Sequence, residues 1–99
     1  MIATADSAEK TIISYNPATG EEVGRVRISS AEDVQKAVTL SRAASREWRQ
    51  TSFAARRDLM MRAREVILAE VDEIAHLISR ESGKPFGEAI AMEIAPVLD

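Results

Sequence analysis

The stretch SFAARRDLMMRAREVILAEVDEIAHLISRESGKP, residues 52–85, decides the fold because apolar residues recur in it at helical spacing. Those residues are Leu59, Met60, Ala63, Val66, Ile67, Val71, Ile74, Ala75 and Ile78. Neither proline nor glycine interrupts residues 53–82, which is a long run for one globular helix. The pattern therefore predicts two helices with a break between Ala69 and Asp72, where a short acidic stretch can cap a new start.

The ends of this stretch carry signals that start and stop helices. Ser52 is a typical cap, because its hydroxyl can accept a hydrogen bond from a free amide of the first turn. Gly83 fits the position just past the last helical residue, where the left-handed conformation costs glycine little. Pro85 then prevents the helix from continuing. A final helix, with Ile90, Ile94 and Val97 on one side, is predicted to begin around residues 87–88 and to be kinked by Pro96.

An earlier helix is predicted to run to about Arg49. The pair Ser29 and Glu32 has the spacing of a capping box, and the pair Ser30 and Asp33 is an alternative frame. The apolar stripe of this helix comprises Val34, Ala37, Val38, Ser41, Ala44 and Trp48. We expect the Trp48 indole to anchor the helix against the next one, and its truncation to alanine to cost about 3–5 kcal/mol if it is buried.

Two short strands are predicted before the helices, at residues 11–15 and 22–28, because both runs are rich in β-branched residues. Between them Asn16-Pro17-Ala18-Thr19-Gly20-Glu21 predicts a turn, since proline fixes φ and Gly20 can take a positive φ. Gly24 is expected to weaken the second strand or to mark a bulge. Residues 1–10 are polar and lack the apolar core of a signal peptide, so they are expected to form a flexible leader.

Composition bounds the class of protein. With 99 residues, the chain is one small domain or part of a larger one, and 45% apolar with 29% charged residues is typical of a globular protein. The lack of cysteine excludes disulfides, thiolate metal sites and a cysteine nucleophile within the chain, and it fits a cytoplasmic setting. No apolar run approaches the roughly 20 residues that a membrane span requires, so no membrane partner is expected.

Charge is unevenly distributed along the chain. Residues 40–64 hold seven arginines against Glu47 and Asp58, whereas residues 65–99 hold two basic and eight acidic residues. The arginine block could contact nucleic-acid phosphates, but aromatic residues are too few for stacking and no recognition motif is present. We therefore expect no nucleic-acid partner. The arginines are expected to pair with acidic groups on neighbouring elements or on parts of the protein outside these residues.

Candidate chemical groups are few. His76 is the single histidine and is interpreted as a partly exposed structural residue. The carboxylates Glu70, Asp72, Glu73, Glu81, Glu88 and Glu93 are interpreted as solvated surface rather than as paired acids and bases. Lys84 is placed as in a phosphate-binding loop, but Ile78 occupies the place of the first glycine and Pro85 that of the hydroxyl residue. The sequence therefore assigns no catalytic, cofactor-binding or metal-binding residue.

The order of these features resembles the N-terminal segment of the aldehyde dehydrogenase superfamily. The motifs that carry the resemblance are NPATGE at residues 16–21, SAEDV at residues 30–34, Arg42-Ala43 before Trp48, ESGKP at residues 81–85 and Glu88-Ala89. No single motif is specific, since Asn-Pro turns are common, but the ordered set is, and it covers about residues 12–95.

The resemblance implies a fold that is mainly α with an N-terminal β-hairpin, as part of an α/β Rossmann-like cofactor-binding domain. Residues 11–99 would be an incomplete N-terminal portion of that domain, ending within a helix. The parent would oxidise an aldehyde to a carboxylic acid with NAD or NADP through a cysteine thiolate. Its partners would be the remainder of the polypeptide, the aldehyde, and further copies in a dimer or tetramer.

The resemblance also implies what this segment lacks. The family's nucleophilic cysteine, general-base glutamate, oxyanion-stabilising asparagine and nicotinamide-binding strands match no position here, so the segment is expected to be inactive and to bind no cofactor. Some members hold a structural monovalent cation, to which the Tyr15 carbonyl and the Glu81 carboxylate would correspond by position. The apolar stripes would face a sheet outside residues 1–99 and would be exposed in this chain alone. The alternative is a stand-alone small helical interaction module that binds a protein partner.

Overall fold

A two-stranded hairpin followed by helices makes up residues 10–99, the part of the chain that the computed structural model describes. The elements are β1 (Thr11–Tyr15), β2 (Glu22–Arg27), α1 (Ala31–Trp48), α2 (Phe53–Ala69), α3 (Val71–Ser82), α4 (Phe86–Glu88), a π-helical segment (Ala89–Ile94) and α5 (Ala95–Leu98). The prediction of a mainly α chain with an N-terminal β-hairpin is confirmed. The expected leader at residues 1–10 lies outside the described residues except for Lys10.

The hairpin is antiparallel and contains the predicted bulge. Ser14 lies opposite Gly24 and Tyr15 opposite Glu22, so Val23 is the extra residue of β2. A bulge of this kind bends a strand and increases its twist. The second strand ends one residue earlier than predicted, although the Ile28 amide still donates to the Lys10 carbonyl at 2.8 Å.

The capping box of α1 uses Ser30 and Asp33, so the frame with Ser29 as the cap is wrong. The Ser30 hydroxyl accepts from the Asp33 amide at 3.1 Å, and the Asp33 carboxylate accepts from the Ser30 amide at 2.8 Å. The same carboxylate accepts from the Arg27 guanidinium at 3.0 Å. In the frame with Ser30 and Asp33, Arg27 of β2 bonds to a side chain in the first turn of α1. This bond is a physical reason why Ser30 rather than Ser29 is the cap.

These bonds make the start of α1 sensitive to acid. The Ser30 amide, followed by the Arg27 guanidinium, holds the pKa of the Asp33 carboxyl below its ordinary value. The folded pKa is therefore lower than the unfolded value of about 3.9. The stabilisation is present above that pH and is lost as the pH falls through the folded pKa.

We expect α1 to lose helical content as the pH falls below about 4, and Asp33→Asn to reduce this loss because the amide still accepts but cannot titrate. Far-UV circular dichroism followed against pH measures the difference between the two chains. Asp58→Asn, which changes an exposed carboxylate outside any cap, is the control and should retain the full acid loss. An identical acid loss in the Asp33→Asn chain would contradict this account of the cap.

The predicted break between α2 and α3 is confirmed at Glu70, but the expected acidic cap is wrong. Glu70 has φ −107° and ψ 12°, and its side chain makes no capping bond. Its amide is shared between the carbonyls of Val66 and Ile67, both at 3.2 Å. A hydrogen bond shared in this way is common where a helix ends. Backbone groups therefore satisfy the end of α2 without a capping side chain. Asp72 and Glu73 lie in the first turn of α3, where the helix dipole favours negative charge.

The end of the chain contains a π-helical segment just before Pro96, where a kink is predicted. The helical backbone begins at Phe86, slightly before the predicted start, and the Ala95 amide donates to the Ile90 carbonyl. This five-residue step replaces the usual four-residue step of an α-helix. Pro96 lacks an amide, and its ring would crowd the carbonyl four residues earlier in a regular helix. The wider turn before Pro96 relieves this crowding.

The core is small and lies at one end of the molecule. Within residues 10–99 the buried apolar residues are Ala75, Ala89 and Ile94, and the partly buried residues packed on them are Ile67, Val71, Ile74, Ile78, Ile90 and Leu98. All of them belong to α2, α3 and the elements that follow. The radius of gyration is 19.1 Å, whereas a compact domain of this length has about 13 Å. The chain is therefore open and encloses little of its apolar surface.

The expectation that Trp48 anchors α1 against α2 by burial is wrong, since the residue is 42% exposed. The Trp48 carbonyl instead accepts from the Arg56 guanidinium at 2.7 Å, and that group lies 5.3 Å from the indole centroid and 5.8 Å from the Phe53 ring. No other element of residues 10–99 packs extensively along α1. The indole therefore has no apolar surface to enter, and Arg56 alone spans the corner.

Candidate functional site

The two turn motifs, far apart in sequence, meet in the structure. Gly83 ends α3 with φ 74°, and its amide donates to the Ser79 carbonyl at 2.9 Å. A Cβ atom at this glycine would lie 3.0 Å from Cγ of Pro17 in the hairpin turn. Gly83 is thus required twice, by its left-handed backbone and by the close approach of the proline ring. The contact fixes the hairpin against the end of α3.

The hairpin turn is held by its own backbone and by Asn16. The Asn16 side-chain oxygen accepts from the Ala18 amide at 2.9 Å, and the Asn16 carbonyl accepts from the Gly20 amide at 2.8 Å. The Asn16 amide donates to the Glu21 carbonyl at 2.8 Å, and Gly20 has φ 75°. This Asx-turn chemistry uses the polar atoms of Asn16 internally. Asn16 therefore has a conformational role in this turn.

In the second turn, the carbonyl, the amide and the ammonium group of Lys84 all have partners within the chain. The Ser79 hydroxyl donates to the Lys84 carbonyl, and the Lys84 amide donates to the Ser82 hydroxyl at 3.3 Å. The Lys84 ammonium forms an ion pair with Glu93 of the π-helical segment. Glu93, interpreted from sequence as solvated surface, is thus a partner for Lys84, and the pair links the turn to the end of the chain.

The residues of this turn do not fit a dinucleotide cofactor. A phosphate-binding loop needs several free backbone amides and an available lysine. Here the Lys84 amide is engaged, Pro85 has none, and the Lys84 ammonium is paired with Glu93. Gly87 lies within α4 rather than in a glycine-rich loop. The geometry of this turn is therefore that of a helix end and differs from that of a phosphate-binding loop.

His76 and the acidic side chains lie on the surface of α3 and the neighbouring elements. His76 is exposed and stacks on the Phe86 ring, with the ring centroids 4.5 Å apart, so it braces α3 against α4. Glu70, Asp72, Glu73, Glu81 and Glu88 are exposed, as expected. Across residues 10–99, no group of three histidine, aspartate or glutamate residues is arranged to hold a metal ion.

Glu81 and the hairpin share a groove of about 260 Å³ between α3 and the strands. Ser14 and Gly24 line the groove beside Glu81, whereas Tyr15 is not part of its lining. The structure thus brings Glu81 to the strand residue just before Tyr15. The monovalent cation expected from the Tyr15 carbonyl and the Glu81 carboxylate stays a prediction.

A long uncovered surface follows the stripe of α1 defined above, namely Val34, Ala37, Val38, Ser41, Ala44 and Trp48. Two open grooves, of about 450 and 580 Å³, run along this α1 stripe. Val34 is 55% exposed, and α1 buries no residue at all. The predicted exposure of the apolar stripe is therefore confirmed for α1.

The arginine block is only partly paired. Arg56 contacts Trp48, and the Arg64 side chain donates to the Leu98 carbonyl at 2.8 Å. Arg57 lies 3.7 Å from Asp58. In the described part of the chain no carboxylate pairs with Arg42, Arg46, Arg49 or Arg62. Within the described residues, no arginine of the block is thus paired with an acid on a neighbouring element, since Arg57 and Asp58 are adjacent residues of α2.

Sequence reasoning missed two contacts at this site. Arg56 was one member of a basic block, and nothing in its local pattern marks it as the residue that spans the α1–α2 corner. The contact between Pro17 and Gly83 joins two turns whose residues carry no reciprocal signal. Both motifs were visible as turns, but their meeting depends on how β1 packs against α3.

No helix in residues 10–99 is both long enough and apolar enough to cross a membrane. The family model described as the aldehyde dehydrogenase family matches residues 3–99, which is nearly the whole chain. The match includes both turn motifs and all the elements described above.

Proposed function

Because the chain belongs to the aldehyde dehydrogenase family, we propose that it is the N-terminal portion of the cofactor-binding domain of an enzyme that oxidises an aldehyde to a carboxylic acid with NAD or NADP. The observation that carries this proposal is the family match combined with an open arrangement of helices that leaves the apolar stripe of α1 uncovered. We call the hairpin and helices of residues 10–99 the frame. In this proposal the remainder of the polypeptide covers the frame and supplies the catalytic residues.

The large exposed surface of the chain supports the proposal that another part of the polypeptide covers it. The accessible surface of the chain is 8607 Å², whereas a compact monomer of 10.9 kDa exposes about 5,600 Å². The excess of about 3,000 Å² is larger than the roughly 1,000–2,500 Å² that each partner contributes to most permanent protein interfaces. Much of it is apolar, as in α1 and in Phe53, which is 88% exposed. A partner of domain size is therefore the natural complement of this surface.

The chemistry of the family sets what the remainder must contribute. Aldehyde oxidation of this kind would use a cysteine thiolate as nucleophile toward the carbonyl carbon, and NAD or NADP, held by the remainder, would supply the hydride acceptor. The 99 residues include no cysteine, and the Lys84 turn does not fit a dinucleotide. In our proposal the nucleophile, the general base and the cofactor site come from the remainder, and residues 1–99 have no activity alone. Their role is to hold the hairpin, α3 and the uncovered helices in one rigid arrangement.

The test is to express the longest open reading frame that contains residues 1–99 and to follow reduced nicotinamide by absorbance with a panel of aldehydes. We expect the longer polypeptide to reduce NAD or NADP and residues 1–99 alone to reduce neither. A matched control replaces the cysteine of the longer polypeptide that reacts with iodoacetamide by alanine, which should abolish turnover. A frame that ends at Asp99, or that encodes no cysteine, would contradict the proposal and favour the stand-alone helical interaction module.

A further inference from the structure

The uncovered stripe of α1 has an apolar centre and two different flanks. Val34 and Trp48 mark its ends, and the grooves along it join at Ser41 and Ser45. Such a face on a soluble helix is normally packed against another element. Among residues 10–99 no element packs extensively along it.

One flank of this stripe is basic. Arg42 lines the groove itself, and Arg46 and Arg49 follow at helical spacing on the same flank. None of the three has a carboxylate partner within the described residues. The other flank carries Asp33, already bonded to Ser30 and Arg27, and Glu47. The charges available to a partner are thus guanidinium groups along one edge and the Glu47 carboxylate on the other.

We propose that the α1 stripe binds an amphipathic segment of the parent polypeptide whose apolar face is bordered by carboxylates on the edge that meets Arg42, Arg46 and Arg49. This inference rests on the proposed function and names the chemistry of the covering segment. A guanidinium brought to the rim of an apolar contact loses water, and a carboxylate restores its hydrogen bonds in a paired geometry. An uncharged or basic edge would leave three cations crowded and unpaired.

A nucleic acid fits this surface less well than an acidic protein segment. The basic flank adjoins an apolar groove rather than a continuous cationic track, and Glu47 lines the adjoining groove. Phosphate backbones would meet this carboxylate, and the single indole of Trp48 offers little stacking. Nucleic-acid binding is therefore an outcome of the test that would overturn the proposal.

The test uses two synthetic helical peptides that share one apolar face. The first carries glutamate and the second carries lysine along the edge that faces the arginines. Trp48 is the only tryptophan and lies on the stripe, so its emission reports binding directly. We expect the glutamate peptide to shift the emission to the blue and to bind the unmodified chain about tenfold more tightly than the lysine peptide, with the preference falling as salt rises.

Matched variants show which arginines cause the preference for the glutamate peptide. The triple variant Arg42→Gln, Arg46→Gln and Arg49→Gln should bind both peptides with nearly equal affinity. The control variant Arg57→Gln with Arg62→Gln, on α2, should keep the preference of the unmodified chain. Circular dichroism checks that the variants retain their helices. If a variant unfolds, the comparison of the two peptides on the unmodified chain still decides the outcome.

Three results would overturn the proposal: neither peptide binds, both bind the unmodified chain equally, or the preference persists in the triple variant. Displacement of the glutamate peptide by duplex DNA at moderate salt would overturn it in favour of nucleic acid. These results are independent of aldehyde oxidation by the longer polypeptide. A polypeptide that oxidises aldehydes while the chain shows no peptide preference would refute this inference alone.

Discussion

Gly83→Ala is expected to lower the free energy of unfolding by about 2–5 kcal/mol, because two costs add at one residue. Gly83 has φ 74°, where a residue with a Cβ atom is strained by about 1–2 kcal/mol. The new Cβ would also lie 3.0 Å from Cγ of Pro17, and overpacking of this kind costs about 1–3 kcal/mol. Urea unfolding followed by far-UV circular dichroism measures the total.

Two other glycines separate these costs. Gly20 has φ 75°, but a Cβ atom there would meet no other atom within 4 Å, so Gly20→Ala should show the strain alone, about 1–2 kcal/mol. Gly87 lies within α4 with open space around it, so Gly87→Ala should be neutral or stabilising by up to about 1 kcal/mol. Adding Pro17→Ala to Gly83→Ala should recover the overpacking part. If Gly83→Ala and Gly20→Ala lowered the free energy of unfolding equally, the close approach of Pro17 to Gly83 would contribute nothing to the destabilisation.

Ile94→Ala is expected to lower the free energy of unfolding by about 2–3 kcal/mol, since it removes the largest buried side chain of the small core. Ile94 is 4% exposed and packs with Ala75 and Ala89. The neighbours are only partly buried, which places the cost near the lower end of the range for isoleucine truncation. The same urea titration measures it.

Met92→Ala is the matched control, because Met92 lies in the same π-helical segment and is 69% exposed. Its truncation should change the free energy of unfolding by less than about 0.5 kcal/mol. If Ile94→Ala and Met92→Ala had the same effect, the core at the end of α3 would not be what stabilises the chain.

The sequence predicted the elements well where the signals are local. Ser52 caps α2 through the Ala55 amide at 3.1 Å, and Gly83 takes the left-handed conformation after α3, because both outcomes depend on residues close in sequence. The break at Glu70 followed from the length of the helical pattern, although its closure by backbone bonds did not.

The features that the sequence left open or misjudged depend on contacts between elements. Ser30 rather than Ser29 caps α1 because Arg27 reaches Asp33 from β2. Trp48 was expected to be buried because it ends an apolar stripe, but a stripe shows that a helix has a partner without showing that the partner lies in the same 99 residues. The π-helical segment before Pro96 is one of several ways to relieve the steric clash of a proline ring in a helix. The sequence does not distinguish a kink from a wider turn.

The central claim is that residues 1–99 form a frame whose own core lies in α3 and the elements after it, while α1 depends on a covering segment. Amide hydrogen exchange on the isolated chain tests this most directly, because it reports opening element by element. We predict that amides of α3 around Ala75 and of the segment around Ile94 exchange slowest, and that amides along α1 exchange through local opening with little protection. Protection of α1 equal to that of α3 would contradict the claim.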